Sequence, residues 1–188
     1  MKVGCVIMAG GKSSRMGTDK ALLEVNGKKF IEQLMEEFDG FEEKIIARGN
    51  NPLVENVFWK VVKDVYQDRG PIGGLHAVLH TCESEALFCV SCDMPFMRKE
   101  MADYLCSLME PDCDAVITKT KDGRVHPMCA VYRKEIAGML EEQILSGNNR
   151  MMSAFDRLRV KYILIELEQE AIQLVNINTP QDYKELFV

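Results

Sequence analysis

The chain has 188 residues, 47% of them apolar and 28% charged, with a formal net charge of −6. This is the composition of an ordinary globular protein, long enough to bury a real core as one domain over residues 1–188. An acidic balance disfavours nucleic acid as a partner, no apolar run has the length of a membrane span, and Lys2 with six apolar-rich residues before a glycine loop is not a secretory signal. A cytoplasmic protein without membrane contact is expected.

In chain order, Val3 to Met8 reads as a strand that stops at Ala9-Gly10-Gly11. Leu22 to Val25 is short and apolar, and Asn26-Gly27 after it is a tight-turn signal. Phe30 to Phe38 reads as a helix, with Ile31, Leu34, Met35 and Phe38 at helical spacing. Lys44 to Ala47 and Trp59 to Val62 are strand candidates, and a helix covering Gly73 to His80 opens after Gly70-Pro71. Ala86 to Ser91 is a buried strand, Glu100 to Met109 a helix, and Ala115 to Thr118 a strand. His126-Pro127 precedes a strand from Met128 to Tyr132, followed by helix from Lys134 to Leu145 and a further helix near Asn149. Tyr162 to Leu167 reads as a strand, and Pro180 to Leu186 as a terminal helix with proline in its first turn. The alternation predicts an α/β fold with a doubly wound, mostly parallel, Rossmann-like sheet. In such a sheet ligands bind beyond the carboxyl ends of the strands, so the polar residues after each strand matter most.

The first of these ends is the most informative. Paired glycines after a buried strand let the backbone approach a bulky ligand, and Lys12, Arg15 and Lys20 bring positive charge to the same loop. Together they suit a nucleotide's phosphates. The loop is not a P-loop, because the glycine required before Gly11-Lys12-Ser13 would fall at Val6. It is not a dinucleotide fingerprint either, because Gly10 and Gly11 are adjacent.

Further along, the run containing Val61 and Val62 ends in Lys63-Asp64, and Ala86 to Ser91 ends in Cys92-Asp93-Met94-Pro95. Asp93 is the best candidate for a metal ligand, since Mg²⁺ is held by one or two carboxylates plus phosphate oxygens, and Pro95 would hold the turn that presents it. Gly70-Pro71-Ile72-Gly73-Gly74 allows close backbone approach at a helix start, where free N–H groups attract anions. Asn176-Ile177-Asn178-Thr179-Pro180 offers an N-cap at Asn178 or Thr179, and Gly147-Asn148-Asn149-Arg150 is a loop with one cation. Of seven cysteines, Cys5, Cys89 and Cys129 lie in apolar runs and read as buried thiols. Cys89-x-x-Cys92 lacks a second pair, and its members would point to opposite faces of a strand. Glu36-Glu37 and Glu141-Glu142 read as solvated surface.

Ala9-Gly10-Gly11-x-Ser13-x-Arg15-Met16-Gly17-x-Asp19-Lys20 is similar to the signature loop of nucleotidyltransferases. Together with Gly70-Pro71-Ile72-Gly73-Gly74, Cys92-Asp93-Met94-Pro95, His126-Pro127 with Ala130-Val131-Tyr132, and Asn176 to Pro180, it most resembles the molybdenum cofactor guanylyltransferases. The resemblance implies transfer of GMP from GTP to the phosphate of Mo-molybdopterin, with Mg²⁺ as cofactor and with molybdenum cofactor delivery proteins as further partners. It implies nucleotide contacts at Met8, Ala9, Gly10, Gly11, Lys20, Asp64 and Asp93, and Mg²⁺ on Asp93. Arg15, Lys20 and Asp93 would be catalytic, and Gly17, Gly74, Arg150, Asn176 and Asn178 would serve the pterin substrate. The family carries an Asn after the strand near residue 46, where this chain reads Ala47-Arg48-Gly49-Asn50, and more charge around Arg150. Three alternatives stay open: a cytidylyltransferase of the same pterin, another small-molecule nucleotidyltransferase, and a non-catalytic nucleotide-binding protein.

Overall fold

The computed structural model describes residues 1–10, 23–25, 27–48 and 58–187. Nine strands and seven α-helices occur among them: β1 (Val3–Met8), β2 (Glu24–Val25), β3 (Lys28–Lys29), α1 (Phe30–Glu37), β4 (Lys44–Ala47), β5 (Lys60–Val62), α2 (Pro71–Thr81), β6 (Ala86–Ser91), α3 (Lys99–Ser107), β7 (Ala115–Thr120), β8 (Val125–Arg133), α4 (Ala137–Leu145), α5 (Met151–Phe155), β9 (Val160–Ile165), α6 (Glu168–Ala171) and α7 (Pro180–Phe187). Seven strands form one sheet in the order β5-β4-β1-β6-β8-β7-β9, and β2 pairs with β3 as a separate hairpin around Gly27.

The chain steps from β1 outward to β4 and β5, then returns through α2 to β6 on the other side of β1, with β4, β1 and β6 parallel. The strand order therefore reverses between β1 and β6, and in open α/β sheets ligands bind beyond the carboxyl ends of the strands at such a point. β8 is the exception, antiparallel to both β6 and β7. Only four residues separate β7 from β8, too few for the crossover that a parallel pair needs. His126 and Pro127, expected just before this strand, lie inside it. The proline is tolerated because the β7–β8 register shifts there: Ile117 faces Ala130 while Thr118 faces His126, so no ladder bond requires a Pro127 N–H.

Strand alternation divides the interior into two layers. Cys5, Ile7, Phe88 and Val90 pack with Leu34 of α1 and Leu105 of α3 on one face. Val6, Met8, Leu87, Cys89 and Tyr132 pack with Leu75 of α2 and Leu140 of α4 on the other. Cys89 and Cys92 fall in different layers, as their spacing required. Two glutamates read as solvated surface do more than that. Glu37 accepts the Lys99 N–H at 2.8 Å, satisfying an orphan donor at the start of α3, and Glu141 accepts a bond from Tyr66. The segment α6, absent from the sequence reading, is a single short turn without long periodicity.

Candidate active site

The carboxyl edge between β1 and β6 is built from backbone bonds. Ala9 donates to the Ala47 carbonyl at 2.8 Å, and Cys92 donates to the Met8 carbonyl at 3.0 Å. Met8 and Ala9 are buried and Gly10 is exposed, so the strand delivers its glycine end to solvent at the switch point. Gly11, Lys12, Arg15, Gly17 and Lys20 lie outside the described residues, as do Leu22, Asn26 and the Gly49-Asn50 pair.

On the β5 side, Asp64 stands half-buried over the first turn of α2. A Cβ placed on Gly74 would lie 2.8 Å from Met8 Cε and 3.6 Å from Asp64 Oδ1; one on Gly73 would lie 3.0 Å from the Tyr66 carbonyl and 3.7 Å from Asp64 Oδ2. The glycine pair thus lets the helix approach Met8 and the Asp64 loop. Gly70 itself has φ of 68° at the helix N-cap, a conformation that suits glycine. Burial pushes the Asp64 carboxyl above its ordinary range, and among the described residues no donor bonds to it. Gly74, expected on the pterin side, is grouped by the structure with Met8 and Asp64. At the neighbouring strand end, Arg48 donates its backbone N–H to the Val62 carbonyl at 3.0 Å, and its buried Nε has no partner among the described residues.

On the β6 side, Asp93 is 8% exposed, in the turn that follows the strand. Asn176 Nδ2 donates to Asp93 Oδ1 at 2.8 Å, and the Ile177 N–H donates to the Asp93 carbonyl at 2.9 Å. The C-terminal segment is therefore tied across the end of β6, 83 residues away in sequence. Asn178 follows with its side chain 3.5 Å from the Asn176 carbonyl. Thr179 caps α7: its Oγ1 accepts the Asp182 N–H at 3.1 Å while Asp182 accepts the Thr179 N–H at 2.9 Å. Arg150 is exposed at the start of α5, its carbonyl accepting from Gln143 Nε2 at 2.9 Å. No bond joins it to Asp64 or Asp93. His126 is buried on β8, with Nε2 3.2 Å from Thr120 Oγ1, so the structure gives it a partner of its own.

No three His, Cys, Asp or Glu side chains converge into a metal cage among the described residues. A single carboxylate at a strand end fits Mg²⁺, which keeps waters and phosphate oxygens as its other ligands; it does not fit zinc. Among the described residues, no helix is long and apolar enough to cross a membrane.

Comparison with known proteins agrees with this geometry. The profile of the MobA-like NTP transferase domain matches residues 5–161. A probable molybdenum cofactor guanylyltransferase of Clostridium perfringens is 33% identical, over 99% of this chain and 96% of its own; one from a Geobacillus species is 31% identical over 98% of both. The crystal structure of molybdopterin-guanine dinucleotide biosynthesis protein A from Archaeoglobus fulgidus superimposes with a TM-score of 0.82 at 27% identity, covering 98% of this chain and 96% of that one. A strand order that reverses at a glycine end, an aspartate fixed across the gap, and relatives matched over nearly their full length lead to one conclusion: the chain belongs to the MobA-like NTP transferase family and is a nucleotidyltransferase.

Proposed function

We propose that the protein, as one domain over residues 1–188, transfers GMP from GTP to the terminal phosphate of Mo-molybdopterin. An oxygen of that phosphate attacks the α-phosphorus, forming a new P–O–P bond. The bond from the α-phosphorus to the bridging oxygen of the β-phosphate breaks, and pyrophosphate leaves. Transfer of this kind asks for positioning and charge neutralisation, not for a protein nucleophile, and no Ser, Cys or His triad was apparent in the sequence. The observation that carries the reading is the placement of Met8-Ala9-Gly10 and Asp93 on opposite sides of the β1–β6 switch point, joined by the Cys92–Met8 bond.

Met8, Ala9, Gly10 and Gly11 would seat the guanosine by close backbone approach, with Asp64 as an acceptor for its hydroxyl or N–H groups. Arg15 and Lys20 would stabilise the triphosphate and the departing pyrophosphate. Asp93 would hold Mg²⁺, oriented by Asn176; the ion supplies charge neutralisation at the phosphate oxygens. Gly74 would let α2 close on Met8 and Asp64 on the nucleoside side, and Gly17, Arg150, Asn176 and Asn178 would line the pterin side. Such a protein would work in the cytoplasm and pass its product to cofactor delivery proteins.

The test is turnover of the purified protein with Mg²⁺ and Mo-molybdopterin, with GTP and CTP offered in parallel and the dinucleotide product detected. Product from GTP alone is expected. Product from CTP alone would overturn the base assignment, and none from either would overturn the pterin reaction.

A further inference from the structure

The Asp64 carboxylate accepts no bond from the described residues and sits on the loop from β5 to the N-cap of α2. Among the described residues, its position is set through the loop that carries it. Two residues on, the Tyr66 hydroxyl donates to Glu141 Oε1 of α4 at 2.6 Å, across 75 residues of sequence. The length is that of a charge-assisted bond to a carboxylate. The same bond, with Glu141 as acceptor, raises the Tyr66 pKa, so the phenol stays a donor. The Tyr66 ring packs 5.3 Å from the His76 ring of α2, and its carbonyl faces Gly73. One side chain thus docks the whole Asp64 loop onto both helices of this layer.

Helix α4 has a second tether two residues further on. Gln143 Nε2 donates to the Arg150 carbonyl at 2.9 Å and fixes the start of α5. The helix begins near the amino edge of the sheet, where Lys134 donates to the Glu85 carbonyl at 2.9 Å, and runs past Tyr66 toward the opposite edge. It therefore carries one tether for the Asp64 loop and one for Arg150.

We infer that Tyr66 and Glu141 are positioning residues for nucleotide binding: their hydrogen bond clamps the Asp64 loop to α4 and presets the carboxylate for the nucleoside. The inference rests on the reading of Asp64 as a nucleotide contact. Tyr66 and Glu141 hold each other and the His76 ring, so the clamp acts through the Asp64 loop on GTP affinity and not on the chemical step.

The experiment measures binding of Mg²⁺ with guanosine 5′-(α,β-methylene)triphosphate by calorimetry, together with steady-state kinetics on GTP. Tyr66→Phe keeps the ring against His76 and removes only the hydroxyl. Loss of a charge-assisted bond of this kind corresponds to roughly ten-fold weaker binding, with kcat and the acceptor KM held within about two-fold of wild type. Glu141→Ala should match it, and Glu141→Gln, which keeps an acceptor oxygen, should recover most of the affinity. The double variant Tyr66→Phe/Glu141→Ala should be no weaker than either single one, because both remove the same bond. Wild-type affinity in Tyr66→Phe, or single effects that add, would overturn the clamp. Asp64→Ala is run beside them. Weakened binding there with unaffected Tyr66→Phe sinks the clamp alone, whereas unchanged binding in Asp64→Ala sinks the reading of Asp64 itself.

Discussion

Two carboxylates flank the same sheet edge and are held in opposite ways. Asp93 is nearly buried, bonded by Asn176, with its own carbonyl taken by Ile177. Asp64 is half-buried, accepts nothing from the described residues, and among them its loop is held through Tyr66. A carboxylate with a bonded oxygen has a set direction, which suits a ligand that demands fixed geometry such as Mg²⁺. A carboxylate without a donor among the described residues, and pushed up in pKa by burial, gains most from a ligand that brings donors with it. The edge is thus divided into a rigid side, which the proposed function puts next to the chemistry, and an indirectly held side, which it puts next to the nucleoside.

Breaking the rigid side should have the larger effect. Asp93→Asn keeps the shape of the turn but removes the charge that would hold Mg²⁺, and kcat should fall by at least about 100-fold while the melting curve stays cooperative. Turnover near wild type would end the metal assignment. Asn176→Ala leaves the charge and removes its orientation. We expect a loss of roughly 10- to 100-fold in apparent Mg²⁺ affinity, read as a shift in the magnesium dependence of turnover; an unshifted curve would show that Asn176 only ties down the C-terminal segment. On the other side, Gly74→Ala places a methyl 2.8 Å from Met8 Cε, the mobile tip of a side chain. The methionine can give way, so we expect a rise of only about three- to five-fold in the KM for GTP, at a cost near 1 kcal/mol of misfit. An unchanged KM together with a raised KM for the pterin would move Gly74 to the acceptor side.

The same division governs what the sequence made legible. The strand ends carrying Ala9-Gly10 and Asp93 were readable because buried strands are continuous apolar runs and their termination is local chemistry. A cap at Asn178 or Thr179 was readable for the same reason, and the structure gives it to Thr179. The Asn176–Asp93 bond spans 83 residues and the Tyr66–Glu141 bond 75, and no local pattern encodes a pairing at that distance. Glu141 consequently looked like solvated surface. His126 and Pro127 were placed before their strand because proline argues against a ladder position; only the register shift opposite Ile117 and Thr118, a property of two strands together, reconciles them. Tyr66 could have been singled out as an aromatic residue in a polar loop two positions after a candidate ligand.

The smallest expected effect compares the two sides through their buried histidines. His76 lies behind the Asp64 loop, 1% exposed, with neither ring nitrogen bonded among the described residues; His126 lies on the β8 side, 7% exposed and bonded to Thr120. Burial pushes both imidazoles below their ordinary pKa. For His76, His80 adds to the fall and Glu141 opposes it; for His126, Arg124 adds and Asp122 opposes. A base whose folded pKa is depressed is charged more readily in the unfolded chain. Stability is then full above the unfolded value of about 6.5 and declines as pH falls through it toward the folded value, by at most about 1.4 kcal/mol per pH unit for each imidazole. Carboxylates such as Asp114, held low by its hydrogen bond from Arg159, surrender their contribution only near and below the ordinary aspartate value of 3.8, so the histidine window is separate. Thermal melts from pH 7.5 to 5.5 should show a falling midpoint. The fall should be largely removed in His76→Leu, which loses no hydrogen bond to a described residue, and less so in His126→Gln. A midpoint flat over that range would mean that neither imidazole is held neutral by the fold, and an equal response to both substitutions would erase the contrast between an unbonded ring on the Asp64 side and a bonded one on the other.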